Sequence, residues 1–212
     1  MFSKNYTFLI AEAGVNHNGK IKNAYELIDI ASDSGADAVK FQTFKAENIC
    51  VKDAPKAFYQ IKTDKNGSQF NMLRKLELSF TEFKNLANYA KKKKIVFLST
   101  PFDKKSVDYL VDELKVEAVK IPSGEINNFE LIDHISKKKV PVILSSGASK
   151  IDEITIALNL LKKGKQLTRE SKNNKFLNKD IKTDKNLALL HCVSEYPAPI
   201  DEANIKCIES LK

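Results

Sequence analysis

The chain has 212 residues, 42% of them hydrophobic, enough to bury the core of one ordinary domain or part of a larger one. Its formal charge is +8, and its three cysteines, Cys50, Cys192 and Cys207, are too widely spaced for a disulfide framework or a clustered zinc site, so a reducing compartment fits. No apolar run reaches the length of a membrane span, and Phe8–Ala13 is interrupted by Glu12, so neither a span nor a signal sequence is expected and the protein reads as cytoplasmic.

The positive charge admits nucleic acid as a partner. The lysines, however, gather in runs such as Lys91-Lys92-Lys93-Lys94 and Lys137-Lys138-Lys139, which close amphipathic helices and have little aromatic interleaving. Cations suit the helix dipole and a solvated face there, and no nucleic-acid partner is expected.

From the N-terminus onward, short apolar runs ending in glycine or a polar turn alternate with helical patterns, which is how β-α units look in sequence. The runs are Phe8–Ala13, Ala38–Thr43, Ile95–Thr100, Ala118–Ser123, Val140–Ser145 and Leu187–Val193. Between them lie helical patterns at Asn23–Ser34, Thr81–Lys92, Lys105–Lys115, Phe129–Lys138 and Asp152–Lys163, and a last one starts near Asp201. Tyr25, Leu27, Ile28, Ile30 and Ala31 keep a helical spacing, and Gly35 is placed to cap that helix. Phe83, Leu86, Ala87 and Ala90 do the same for the second helix.

Two segments break the rhythm. Asn48–Leu78 is long for a βα connection, and its polar, turn-rich Lys62–Ser68 portion reads as disordered or as a loop over a site. The Lys- and Asn-rich stretch Lys162–Asn186 reads as a surface insert away from chemistry. Roughly six β-α units point to a (β/α)₈ barrel, here incomplete, because that fold has eight strands and typically about 250 residues. An open doubly wound sheet fits the count, but no glycine-rich nucleotide fingerprint follows the first strand.

Polar groups collect at the C-terminal ends of the strands, where barrel enzymes build their sites. These are Glu12 and Asn16-His17-Asn18-Gly19, Lys40 and Gln42, Ser99-Thr100-Pro101-Phe102-Asp103, Lys120 with Ser123 and Glu125, Ser145-Ser146-Gly147, and His191 with Ser194, Glu195 and Tyr196. Val119 and Ile121 form one face of a short strand, so the pleat sends Lys120 to the other. A buried ammonium needs a negative partner, and Glu125 or an anionic ligand can supply it. Lys40 and Gln42 share a face in the same way. Two inward lysines with hydroxyls and glycine-rich turns form a cradle for phosphate plus carboxylate. Glu12 and Glu125 are then free for sugar hydroxyls or proton transfer. Each residue also has a structural reading: Glu12 pairs with Lys40, Thr100 caps a helix, and His191 is a satisfied core histidine.

Five motifs, Ile10-Ala11-Glu12-Ala13-Gly14-Val15-Asn16-His17-Asn18-Gly19, Val39-Lys40-Phe41-Gln42-Thr43, Ser99-Thr100-Pro101-Phe102, Lys120-Ile121-Pro122-Ser123-Gly124-Glu125 and Leu190-His191-Cys192-Val193-Ser194-Glu195-Tyr196-Pro197, occur in this order along nearly the whole chain. Together they resemble the sialic acid (N-acetylneuraminate) synthase family, and the first resembles its sialic and legionaminic acid branches. The resemblance implies a barrel that condenses phosphoenolpyruvate with an N-acetylated amino sugar, N-acetylmannosamine or a dideoxy relative, giving a nonulosonic acid and phosphate. It implies that Lys40, Thr100, Lys120 and Ser145 hold phosphoenolpyruvate with Gln42 beside them. Glu12 and Glu125 touch the sugar or move protons, and Ser123 and Tyr196 line the pocket. Some relatives have Asn where this chain has Ser194, so the acceptor sugar is left open there.

The resemblance also implies a divalent metal, usually manganese, that polarises the sugar aldehyde. His17, His134 and His191 do not match the family's two metal-binding histidines, which lie beyond the sixth unit, so the ligands are expected outside this chain. The family's C-terminal antifreeze-like domain, which serves the partner subunit in a homodimer, is likewise expected beyond it. The chain is therefore expected to be the N-terminal part of such a synthase, with a non-catalytic phosphoenolpyruvate-binding remnant as the alternative. The exposed edges of an incomplete barrel lead us to expect self-association.

Overall fold

The structure is a computed structural model that describes residues 7–56, 61, 67–164, 186–194 and 198–211. The chain divides into two compact units, Leu9–Lys115 and Val116–Lys212, the second including the N-terminal residues up to Phe8.

In the first unit, β1 (Ile10–Gly14), β2 (Ala38–Thr43) and β3 (Val96–Pro101) pair in parallel, with Ile10 opposite Ala38 and Ala38 opposite Val96. Val39 and Phe41 are fully buried and Lys40 nearly so, the pattern of a strand covered on both faces. Helix α1 (Ile21–Asp33) turns Ala24, Ile28 and Ala31 inward. It ends as expected at Gly35, whose φ of +76° suits the residue after a helix and whose N–H donates to the Ser32 carbonyl.

The connection after β2 carries two short helices. Helix α2 (Ala46–Ile49) follows β2 directly, and α3 (Gln69–Lys75) starts at Ser68, whose hydroxyl accepts the Asn71 N–H. Buried Phe70 and Leu78 anchor this segment. Glu77 closes it back on the strand, accepting the Ala46 N–H at 2.8 Å and pairing with the Lys45 ammonium at 3.0 Å. These partners are 31 and 32 residues apart, so local patterning does not reveal them. Residues 57–60 and 62–66 lie outside the described residues, as does most of the Lys162–Asn186 stretch.

Helix α4 (Phe80–Lys92) opens with a capping box between Ser79 and Glu82 and buries Phe83, Leu86 and Ala90. Lys91 and Lys92 occupy its last turn, where the dipole favours cations. Tyr89 and Lys93 at this end reach α1: the Tyr89 hydroxyl donates to the Asp29 carboxylate at 2.9 Å and Lys93 pairs with it at 2.6 Å. The single helix expected at Lys105–Lys115 is a short α5 (Lys104–Asp108) that widens into a π turn, Tyr109–Glu113, with the Leu114 N–H donating to the Tyr109 carbonyl. The Tyr109 ring stacks on Phe80 at 4.2 Å.

In the second unit, β4 (Val119–Ile121), β5 (Val142–Ser145) and β6 (Leu187–Leu190) pair in parallel, from Val119 opposite Val142 to Ser145 opposite Leu190. Helix α6 (Phe129–Ser136), capped by Asn128, buries Leu131, Ile132 and Ile135, and α7 (Ile151–Gly164) buries Ile154, Ala157 and Leu161. The helix expected from Asp201 is a 3₁₀ turn, Ile200–Glu202, followed by α8 (Cys207–Ser210). Asn204 stands between them at φ +44°, a left-handed residue that ends one helical run before the next begins. Six successive β-α units make this an α/β fold, an incomplete (β/α)₈ barrel. No helix among the described residues is long and apolar enough to cross a membrane.

The Asp29 cluster sets a pH window. The hydrogen bonds from Lys93 and Tyr89 hold the Asp29 carboxyl below the usual carboxylate range, and the Asp29 carboxylate holds Lys93 above the usual lysine range. A depressed acid stabilises the fold above its unfolded pKa, and this is lost as pH falls through the folded value. A raised base does the reverse on the alkaline side. Asp29→Asn should therefore lower the melting temperature at pH 7, and the gap to the parent chain should narrow as melts are repeated at pH values falling below the ordinary carboxylate pKa of about 4. An unchanged gap there would contradict the assignment.

Candidate active site

The first cluster is built by strand register. Glu12 on β1 stands opposite Lys40 on β2, and Gln42 stands opposite Thr100 on β3. Lys40 and Gln42 leave β2 on the face opposite Val39 and Phe41, as the pleat requires. The Lys40 side chain is only 8% exposed. Its ammonium forms an ion pair with Glu12 Oε2 and donates to Thr100 Oγ1 at 3.4 Å. Among the described residues these are its partners, although an ammonium carries three donors. Burying it unpaired would cost several kcal/mol, so the carboxylate is a structural necessity. Glu12 nevertheless keeps 48% of its side chain exposed. The cluster thus pairs a sequestered cation with a half-exposed carboxylate.

Several residues expected near the site lie elsewhere. Thr100 does not cap a helix; Asp103 does, accepting the Ser106 N–H at 2.9 Å, so its role is structural. Ser99 shares a 2.7 Å hydrogen bond with Thr43 on the other face of the sheet from Thr100. His17 is fully buried beside Phe41, at 6.2 Å between ring centroids, and therefore belongs to the side of β2 away from Lys40. Its Nδ1 accepts the Gly19 N–H at 3.0 Å and its carbonyl accepts from Asn23, which pins the turn after β1. Burial holds its pKa below the ordinary histidine range, with the Glu82 charge opposing in part.

The second unit carries the remaining positions. Lys120 is half-buried between fully buried Val119 and Ile121. Lys120 stands opposite Ile143, which places Ser145, 4% exposed, on the same face of β5. Ser123, Gly124 and Glu125 form a 3₁₀ turn just past β4. Ser123 is half-buried, and Glu125 Oε2 accepts from the Asn128 side-chain amide at 2.7 Å. Beside Ser145, Ser146 donates through both its N–H and its hydroxyl to the Leu190 carbonyl, and the Gly147 N–H donates to Cys192 Sγ. His191 is half-buried rather than in the core, and its Nε2 is hydrogen-bonded to the Ala203 carbonyl at 2.7 Å. Ser194 is exposed, and Glu195 and Tyr196 lie outside the described residues.

Among the described residues, no group of three or more His, Cys, Asp or Glu side chains comes together to hold a metal. His17 is buried against Phe41, and His191 is engaged with a carbonyl. These residues do not fit a metal centre. Two features escaped the sequence reading: the Lys45–Glu77 clamp beside β2, and Gly14, which adjoins Glu12. A glycine two residues after a strand carboxylate is the signal that singles out the second.

A model of the NeuB family matches residues 27–212. The chain is 48% identical over 207 residues to the N,N'-diacetyllegionaminic acid synthase of Campylobacter jejuni, covering 97% of this chain and 57% of that protein. It is 41% identical over 207 residues to the N,N'-diacetyllegionaminic acid synthase of Legionella pneumophila, covering 96% and 53%. The crystal structure of the N-acetylneuraminic acid (sialic acid) synthetase of Leptospira borgpetersenii, in complex with citrate, matches with a TM-score of 0.76 at 31% identity, covering 100% of this chain and 65% of that one. The chain spans about half the length of the curated relatives it matches.

The ion pair makes a thermodynamic prediction. Glu12→Ala strands a buried ammonium, and because Glu12 is half exposed the loss should be about 1–2 kcal/mol in urea unfolding, less than for a fully buried pair. Adding Lys40→Met should restore much of that stability. A double variant no more stable than Glu12→Ala alone would show that the Lys40 charge is not what Glu12 offsets.

Proposed function

The chain belongs to the NeuB family, and from that premise we propose that it carries the phosphoenolpyruvate-binding residues of a nonulosonic acid synthase. The reaction joins C3 of phosphoenolpyruvate to the aldehyde carbon of an N-acetylated amino sugar, with uptake of one water and loss of phosphate. The observation that carries this reading is the buried Lys40 ammonium, held between Thr100 and the half-exposed carboxylate of Glu12.

Lys40 is proposed to hold a phosphate or carboxylate oxygen of phosphoenolpyruvate, with the Thr100 hydroxyl fixing the ammonium and the Gln42 amide beside it. Glu12 leaves the ammonium as the anion arrives and turns to the sugar, where it takes up or returns a proton. In the second unit, Lys120 and Ser145 are proposed as further contacts to phosphoenolpyruvate, with Ser123 and Glu125 toward the sugar. Ser194 and Tyr196 are proposed for the acceptor side. The similarity to legionaminic acid synthases supports a diacetylated, dideoxy acceptor over N-acetylmannosamine. The divalent metal of such a condensation is proposed to find its ligands outside the described residues.

Calorimetric titration of the 212-residue chain with phosphoenolpyruvate tests the reading. Saturable binding is expected, weakened about tenfold or more by Lys40→Met and separately by Lys120→Met, since each removes a charge-assisted contact. Phosphate release should require both an N-acetylated amino sugar and a divalent metal. Binding that neither substitution alters would overturn the residue assignments. Binding without release under any acceptor would leave a phosphoenolpyruvate-binding protein in place of a synthase.

A further inference from the structure

Strand β1 does not run evenly into its loop. Its register against β2 holds from Ile10 opposite Ala38 to Glu12 opposite Lys40, then slips so that Gly14 faces Phe41 and Ala13 is an extra residue. Such a bulge bends a strand and re-aims its side chains, and here it follows directly on the carboxylate of the Lys40 cluster. Gly14 has a φ of +52°, the left-handed region that favours glycine. A Cβ built at Gly14 would lie 3.3 Å from Glu12 Oε1 and 3.8 Å from Gln42 Nε2. The other oxygen of that carboxylate, Oε2, is the one that holds the Lys40 ammonium. The Glu12 carboxylate therefore lies against the backbone of Gly14, and a Cβ there would require Oε1 to give by a few tenths of an ångström, with Oε2 on the same carboxylate.

We propose that Gly14 is a positioning residue: the bulge and the missing side chain together let the Glu12 carboxylate fold back over its own strand end to meet Lys40 beside Gln42. The positional part stands on this geometry alone, and the consequence for turnover rests on the proposed condensation. Gly14 touches no reacting atom and acts only through Glu12.

The test compares two glycines of the same unit. Gly35 has a φ of +76° and nothing within 4 Å of a built Cβ, so Gly35→Ala introduces left-handed strain without a clash. Gly14→Ala should lower the melting temperature more than Gly35→Ala does, and in a Glu12→Ala background that excess should disappear. Should Gly14→Ala fail to fold, adding Glu12→Ala should restore folding. An equal loss from Gly14→Ala in both backgrounds, or no rescue, overturns the proposal. In turnover of phosphoenolpyruvate with an N-acetylated amino sugar and metal, Gly14→Ala should lower kcat about tenfold or more and leave KM for phosphoenolpyruvate within about twofold, while Gly35→Ala changes neither. A parent chain that binds no phosphoenolpyruvate defeats the proposed function, whereas the melting comparison decides the role of Gly14 whether or not the parent chain turns over.

Discussion

An ammonium on a strand covered from both sides cannot remain without a counter-charge, and much of the first unit is arranged around that requirement. Lys40 lies between two residues with no exposed surface, so its charge can go only to the strand face shared by Glu12, Gln42 and Thr100. A nonpolar residue at 40 would satisfy the core with less penalty, since well-packed hydrophobic replacements of buried ion pairs are often neutral or stabilising. Keeping a lysine there has little structural benefit. Anion binding, as proposed for this site, supplies a reason, and the half-exposed Glu12 lies beside the ammonium.

The surrounding structure serves that arrangement through backbone geometry. Parallel register sets Glu12 beside Lys40, and the bulge at Ala13 turns the strand end so that the carboxylate lies over Gly14. Behind the sheet, His17 pins the turn after β1 against Phe41, and burial lowers its pKa. Beyond β2, Glu77 takes the first N–H of α2 together with the Lys45 charge, fixing the long connection directly beside the strand. The polar groups at the strand ends thus fall into two classes. Lys40, Gln42, Thr100 and Glu12 share one face, whereas Ser99, Thr43, His17 and Asp103 hold the fold.

Much of this was legible in the sequence, for physical reasons that differ by feature. The six strands and their helices follow from period and punctuation, and Gly35 caps its helix where expected. The Lys40–Gln42 face follows from the two-residue period of a strand. What local pattern could not supply was register. The Lys40–Glu12 contact is 28 residues long in sequence, the difference between positions 40 and 12, and the sequence left it as one of two readings; the structure gives the pair. Local pattern did not mark the two short helices of the segment after β2, because their anchors, Phe70, Leu78 and Glu77, act over long separations. Asp103 and His17 looked like site residues because a capping aspartate and a buried imidazole carry the same side chains as an acid and a ligand. Only their surroundings distinguish them.

The most direct measurement is a side-chain ammonium spectrum of the chain labelled with ¹⁵N-lysine, titrated with phosphoenolpyruvate, with the Lys40 signal assigned by its loss in Lys40→Met. A buried lysine that serves an anion should show a saturable shift while the solvated lysines of residues 91–94 stay in place at moderate salt. A Lys40 signal that stays unmoved at saturating phosphoenolpyruvate, or that moves only together with the surface lysines and returns with added salt, would contradict an anion site at this residue.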